Sequence, residues 1–186
     1  MPNVVAIAGS PSHPSRSYAV LDYAQAIFER EQISNQIISV RDVAPEALLF
    51  AKFDHADVKA VASAIEQADA IIISTPVYKA AYTGVLKALL DLLPQNALVG
   101  KPILPIATGG TLAHLLSIDY ALKPVLSALG ARYILAGVYI VDSQLQRLDN
   151  GELAFVDEEI EQRLQNSVYE LISTVRTTTP ATVGVA

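Results

Sequence analysis

Two hydrophobic periods alternate along the chain. Val4-Val5-Ala6-Ile7-Ala8 is a continuous apolar run stopped by Gly9-Ser10-Pro11, the pattern of a strand buried on both faces. Val20, Tyr23, Ala24, Ile27 and Phe28 then recur at helical spacing. Ile37-Ile38-Ser39-Val40 predicts a second strand, and Val58, Val61, Ala62 and Ile65 a second helix. Ala70-Ile71-Ile72-Ile73-Ser74 is a third strand ended by Thr75-Pro76, followed by a helix through Val85, Leu86, Leu89, Leu90 and Leu93 that stops at Pro94. Ile103-Leu104-Pro105-Ile106-Ala107 reads as a fourth strand in spite of its proline. From about Leu112 to Leu129 the pattern predicts one long apolar helix closed by Gly130, then a fifth strand from Tyr133 to Val141. Val156, Ile160, Leu164, Val168, Leu171 and Val175 give a final amphipathic helix. The expected organisation is a single domain over residues 1–176, with a disordered Thr-rich tail over 177–186.

Five strands alternating with five helices imply an α/β fold with a parallel sheet covered on both faces, because parallel strands need helical crossovers. In such a sheet ligands sit beyond the carboxyl ends of the strands, near the point where strand order reverses. Three loops occupy such ends. After strand one, Gly9-Ser10-Pro11-Ser12-His13-Pro14-Ser15-Arg16-Ser17 gathers hydroxyls and a guanidinium at the start of a helix, where free amides and the helix dipole favour an anion. The loop is neither GxGxxG nor a P-loop, and it reads equally as a Pro/Ser turn with Ser15 or Ser17 as helix cap. After strand three, Thr75-Pro76-Val77-Tyr78-Lys79 offers backbone groups and an aromatic wall to a flat ligand, or is a turn with an incidental surface Tyr. After strand four, Thr108-Gly109-Gly110 permits close approach to the backbone and leads to His114 in the next first turn, or holds structural turn glycines.

Composition narrows the chemistry. The 186 residues are 52% hydrophobic and 17% charged, which excludes a disordered chain. A net charge of −6 without clustered cations argues against nucleic-acid coating. Cysteine is absent, so disulfides, thiolate metal sites and thiol catalysis are excluded. No apolar run approaches the roughly 20 residues of a membrane span. Met1-Pro-Asn-Val-Val runs directly into a strand without a leader pattern, so a cytoplasmic location is expected.

Together the three loops, extended through Thr75-Pro76-Val77-Tyr78-Lys79-Ala80-Ala81-Tyr82-Thr83-Gly84-Val85-Leu86-Lys87, resemble the flavodoxin-like NADPH-dependent FMN reductases. They are most similar to the reductase components of alkanesulfonate-type two-component monooxygenase systems, as is the segment from Leu112 to Leu126. The likeness spans roughly residues 3 to 142. It implies a doubly wound five-stranded sheet of order 2-1-3-4-5. It also implies that Ser10, Ser15, Arg16 and Ser17 hold the FMN phosphate. Thr75, Pro76, Val77, Tyr78 and Lys79 would border the isoalloxazine, and Thr108, Gly109 and Gly110 would close its other side. His114 would stand at the flavin edge or pack at the helix start. NADPH would be the reductant, with Arg16, Lys79 and Lys87 as candidate partners of its 2′-phosphate. No catalytic side chain and no metal is called for, since the cofactor carries the reactivity. A homo-oligomer, dimer or tetramer, and a partner monooxygenase in sulfonate metabolism also follow from the resemblance. The alternatives are a quinone or azo reductase that retains FMN, and a flavodoxin-type electron carrier.

The helix at 112–129 is apolar on more than one face, which predicts a subunit contact made together with Val85, Leu86, Leu89, Leu90 and Leu93; cover by the C-terminal helix of the same chain is the alternative. Pro124 opposes the carbonyl of Tyr120, four residues earlier, so the normal helical bond cannot form there. An irregular turn over 119–124 is expected, of π type as the resemblance implies, with Tyr120 at the subunit contact near flavin. Packing of a kinked core helix is the competing reading.

Overall fold

Strand burial follows the apolar runs. The computed structural model describes residues 2–148 and 153–178. Strands β1 (Asn3–Ala8), β2 (Ser34–Ser39), β3 (Ala70–Pro76) and β4 (Pro102–Gly109) pair in parallel in the order β2-β1-β3-β4, with the fifth position beside β4. This is the expected doubly wound order. β4 is buried throughout and β3 up to its last residue, while edge strand β2 alternates. Val4, Ala6 and Ala8 face one core layer and Val5 and Ile7 the other. On the first face lie α1 (Arg16–Arg30) and α6 (Glu158–Thr178). α3 (Ala56–Gln67), α4 (Gly84–Asp91) and α5 (Lys123–Ala128) cover the second. α1 buries Val20, Leu21, Ala24, Ile27 and Phe28, the stripe its periodicity predicts. A short helix α2 (Pro45–Leu49), with proline in its first turn, lies between β2 and α3; the hydrophobic pattern does not announce it.

The expected continuous fifth strand is two strands, β5 (Tyr133–Ile134) and β6 (Val138–Val141), both against β4. The carbonyl of Ile103 accepts from Leu135 N at 2.9 Å, so β4 turns Ile103 towards this neighbour. In a parallel ladder Pro105, two residues on, faces the same way, and it has no N–H to give. Pairing lapses there. Ile103 matches Ile134 but Ile106 matches Val138, so the neighbour carries one extra residue across the gap. Gly137 absorbs it at φ 89°, and a Cβ there would lie 2.9 Å from the Pro105 carbonyl oxygen.

The single long helix expected over 112–129 is also broken. A 3₁₀ turn covers Leu112–His114, and a π-helical turn, Ile118–Leu122, runs into α5. Lys123 N donates to Ile118 O, five residues back, one of the ways a helix can relieve the clash of Pro124 with the Tyr120 carbonyl. Ile118, Leu122 and Leu126 form its buried stripe, whereas Leu112, Leu115, Leu116 and Tyr120 are exposed; Leu86, Leu89, Leu90 and Leu93, expected at the same contact, are instead buried in this chain's own core. α6 packs with α1 on the opposite face, so it does not cover them.

An unannounced antiparallel hairpin, β7 (Leu145–Arg147) with β8 (Leu153–Phe155), joins β6 to α6. α6 extends through Thr178, two residues into the expected tail; residues 179–186 lie outside the described residues.

Candidate functional site

The carboxyl ends of β1, β3 and β4 meet at a small cleft of about 230 Å³. Its first wall is the loop after β1. Ser15 caps α1, its Oγ accepting from Tyr18 N at 3.3 Å, as an N-cap serine does. The Ser10 side chain, nearly buried, accepts from Ser12 N at 3.2 Å and fixes the loop's first turn. Arg16, the first residue of α1, lies half exposed over the cleft and reaches Asp142 at 3.6 Å. α1 carries no acid in its first turn, so the positive end of its dipole is not neutralised there.

The second wall follows β3. Val77 N donates to Thr108 O at 2.8 Å, carrying the β3–β4 ladder to the rim. Tyr78 and Ala81 then exchange two backbone bonds around Lys79 and Ala80, which sit at φ 51° and 67°. Positive φ at both central residues is the geometry of a type I′ turn, costly for side-chain-bearing residues and so a sign of tertiary constraint. The Tyr78 hydroxyl lies 3.4 Å from Ser12 Oγ, linking this wall to the first.

The third wall is Thr108-Gly109-Gly110. Tyr139, on β6 and buried by Ala107 and Ile118, donates from its hydroxyl to Thr111 O at 2.7 Å and pins the turn. Burial, reinforced by the Asp142 charge, pushes the Tyr139 hydroxyl up. A side chain on Gly109 would collide with that hydroxyl, so the backbone there is bare for a packing reason.

Of the expected site residues, Ser10, Ser15, Arg16, Pro76, Val77, Tyr78, Thr108, Gly109 and Gly110 line this one cleft. Lys79 and His114 line an open extension beside it, together with Val77, Tyr78 and Ala80. Ser17 and Thr75 are buried beneath and do not line it. Ser17 bonds Ser15 Oγ at 2.9 Å, and Thr75 Oγ1 accepts from Thr83 N at 3.3 Å. Lys87 bonds Asp91 one turn further along α4, which raises its pKa. Sequence reasoning missed four residues. Ser12, Pro14 and Asp142 line the cleft. Thr83 braces it from below, its hydroxyl donating to the Gly9 carbonyl and accepting from Leu86 N. The signal for Asp142 was its place, directly after the last strand of the sheet.

A larger, mostly apolar depression of about 730 Å³ lies to one side, between Val40–Leu49 and the start of α4. It has Arg41 and the first residues of α4, Gly84 and Val85, but no side-chain hydroxyl among its lining residues, so the hydroxyl-rich recognition chemistry belongs to the smaller cleft.

A family model described as NADPH-dependent FMN reductase matches residues 2–146. The chain is 54% identical over 142 residues to an FMN reductase (NADPH) of Escherichia coli K12, covering 76% of this chain and 74% of that one. It is 46% identical over 165 residues to an FMN reductase (NADPH) of Pseudomonas putida KT2440, covering 89% and 84%. Among solved structures, the apo form of the NADH:FMN oxidoreductase EMOB superposes with a TM-score of 0.84 at 37% identity, over 98% of this chain and 92% of that one.

Proposed function

The chain belongs to the NADPH-dependent FMN reductase family, and from that premise we propose that it reduces freely exchanging FMN with NADPH in the cleft between its three loops. It is an NAD(P)H:FMN oxidoreductase with FMN and NADPH as its flavin and pyridine nucleotide. The observation that carries the site assignment is the pairing of two unlike ends in one cleft. At one end stand Ser10, Ser12, Ser15, Arg16 and the N-terminus of α1; at the other, the backbone of Val77–Tyr78 and Gly109–Gly110. The first donor set suits a phosphate monoester, with a cation, hydroxyls and first-turn amides that have no intrahelical acceptor. The second suits the edge of a flat heterocycle, read by backbone groups against Pro76, Val77 and Tyr78.

Bound there, FMN supplies the redox chemistry, accepting hydride from NADPH. The protein's part is positional. Arg16 and the α1 terminus neutralise the phosphate, the Tyr78–Ala81 turn and the bare Gly109–Gly110 backbone fix the ring system, and Val77 and Tyr78 keep water from one side of it. Lys79 and His114, on the open extension, stand where the pyridine nucleotide approaches; we assign Lys79 to its 2′-phosphate and His114 to the flavin edge.

Two finer readings belong with this one. The exposed row Leu112, Leu115, Leu116 and Tyr120, next to His114, supports a homo-oligomer, dimer or tetramer, with Tyr120 at the contact. The sequence resemblance supports delivery of reduced FMN to an alkanesulfonate-type monooxygenase, in the cytoplasm; among the described residues no helix is long and apolar enough to cross a membrane.

Steady-state oxidation of NADPH and NADH with free FMN tests the proposal. The expected result is FMN-dependent oxidation, faster with NADPH, by protein that is colourless after dialysis. No rate above the flavin-free background refutes it. Protein that stays yellow and turns over quinones by ping-pong kinetics replaces it with the flavin-retaining reductase.

A further inference from the structure

Arg16 is the sole Lys or Arg lining the cleft among the described residues, and Asp142 the sole carboxylate. At 3.6 Å their contact is longer than a hydrogen bond, and the two side chains are 52% and 38% exposed. Such a pair is weak and its partners exchange readily. The backbone under Asp142 is nevertheless held. Val141 N donates to the Gln144 side chain at 2.8 Å, and Gln144 in turn donates to Asp157 at 2.7 Å. Leu145 N closes the 3₁₀ turn on the Asp142 carbonyl. An anion drawn to Arg16 and the α1 terminus therefore meets a fixed negative charge already engaged with that arginine.

We propose that Asp142 competes with the flavin phosphate for Arg16 and thereby sets how readily FMN leaves. The inference rests on the assignment of the phosphate end of the cleft given above. Asp142 acts through Arg16 and as a like charge beside the phosphate; it is a positioning residue and takes no part in hydride transfer. A carboxylate at this place loosens a dianionic ligand while leaving an uncharged ring system unaffected, which suits a protein whose flavin must come and go.

The test is flavin fluorescence titration of the purified protein with FMN and, separately, with riboflavin, which lacks the phosphate. Asp142→Asn is expected to bind FMN about three- to tenfold more tightly at low salt, with the gain shrinking as salt screens it. Riboflavin affinity should not change. Asp142→Ser must repeat the effect through a different side chain, and Glu170→Gln, the same charge change on the exposed face of α6, must not. An unchanged or weaker FMN affinity in Asp142→Asn overturns the proposal while leaving the flavin site standing. Equal tightening of riboflavin overturns it as well. Failure of the wild-type protein to bind FMN at all overturns the site assignment and this inference together.

Discussion

Gly109→Ala adds one methyl group at the point where the third loop leaves β4. The new Cβ would overlap the Tyr139 hydroxyl, lie 3.2 Å from its Cζ and 3.6 Å from Val77 Cβ. Tyr139 is 4% exposed, and Ala107, Ile118, Val77 and Val141 wall its ring, so it cannot swing aside freely. Moving it breaks the 2.7 Å bond to Thr111 O. Thr111 is exposed, so water replaces the lost donor and that part costs about 1 kcal/mol. Forcing a methyl into a filled space adds about 1–3 kcal/mol. The sum, about 2–4 kcal/mol, lowers the melting temperature by roughly 5–15 °C for a chain of this size. Because the displaced turn forms one wall of the cleft, FMN affinity should fall too. Tyr139→Phe supplies the control. Alone it costs about 1 kcal/mol; combined with Gly109→Ala it removes the colliding atom and leaves the tight but tolerable contact at Cζ. The double-mutant cycle, read by chemical denaturation and by flavin fluorescence, should show a rescue of about 1–2 kcal/mol. Additive losses, or a Gly109→Ala protein as stable as the parent, would refute the reasoning.

Thr83→Ala removes both the cap of α4 and the donor to the Gly9 carbonyl, at a residue 1% exposed; denaturant unfolding should show a loss of about 2–3 kcal/mol, and a loss under 0.5 would mean the brace is dispensable. Tyr18, Tyr23, Tyr82 and Tyr139 are each held above their ordinary ionisation, by burial first. Their native forms keep protons that the unfolded chain releases, so this stability is complete below the unfolded value of about 10 and drains away as pH climbs through the folded values. Ultraviolet titration should accordingly show these four ionising above the ordinary tyrosine range, and Tyr139→Phe should remove one of that group; ionisation of Tyr139 within the ordinary range would contradict it. Leu116→Glu, on a side chain 52% exposed, should leave secondary structure intact but lower the mass seen by light scattering; an unchanged assembly would exclude this row as the contact.

The order of strands and the three loops were legible because buried parallel strands are uninterrupted apolar runs, and the runs of β1, β3 and β4 each lead into a proline or glycine that also begins a loop. An irregular turn before Pro124 was readable too, since that proline removes a particular helical bond whatever surrounds it, while its π form rested on the resemblance. Other features depend on what lies across the ladder. Gly137 is the local sign of a bulge in Leu135–Gly137, but the break itself is imposed by Pro105 on the neighbouring strand. Ser17 and Thr75 have the right chemistry for ligand binding but point beneath the cleft, into bonds with Ser15 and Thr83. Asp142 carries no motif beyond its place after the last strand, and its pairing becomes visible when β6 sets it opposite Arg16.

The extra residue opposite Pro105 also decides a question of parity. Without it, the register Ile103–Ile134 would continue to match Tyr139 with Thr108; as found, Tyr139 matches Ala107. A shift by one inverts every later side chain. Val138 and Ile140 would then leave the α1–α6 core they now fill, and Tyr139 would point away from the turn at Gly109 that it holds. One missing N–H in the middle of β4 thus selects which face of the last strand supports the cleft. Length changes should therefore be poorly tolerated between Leu135 and Gly137, and the segment can be edited only in steps that keep the count odd or even as it stands.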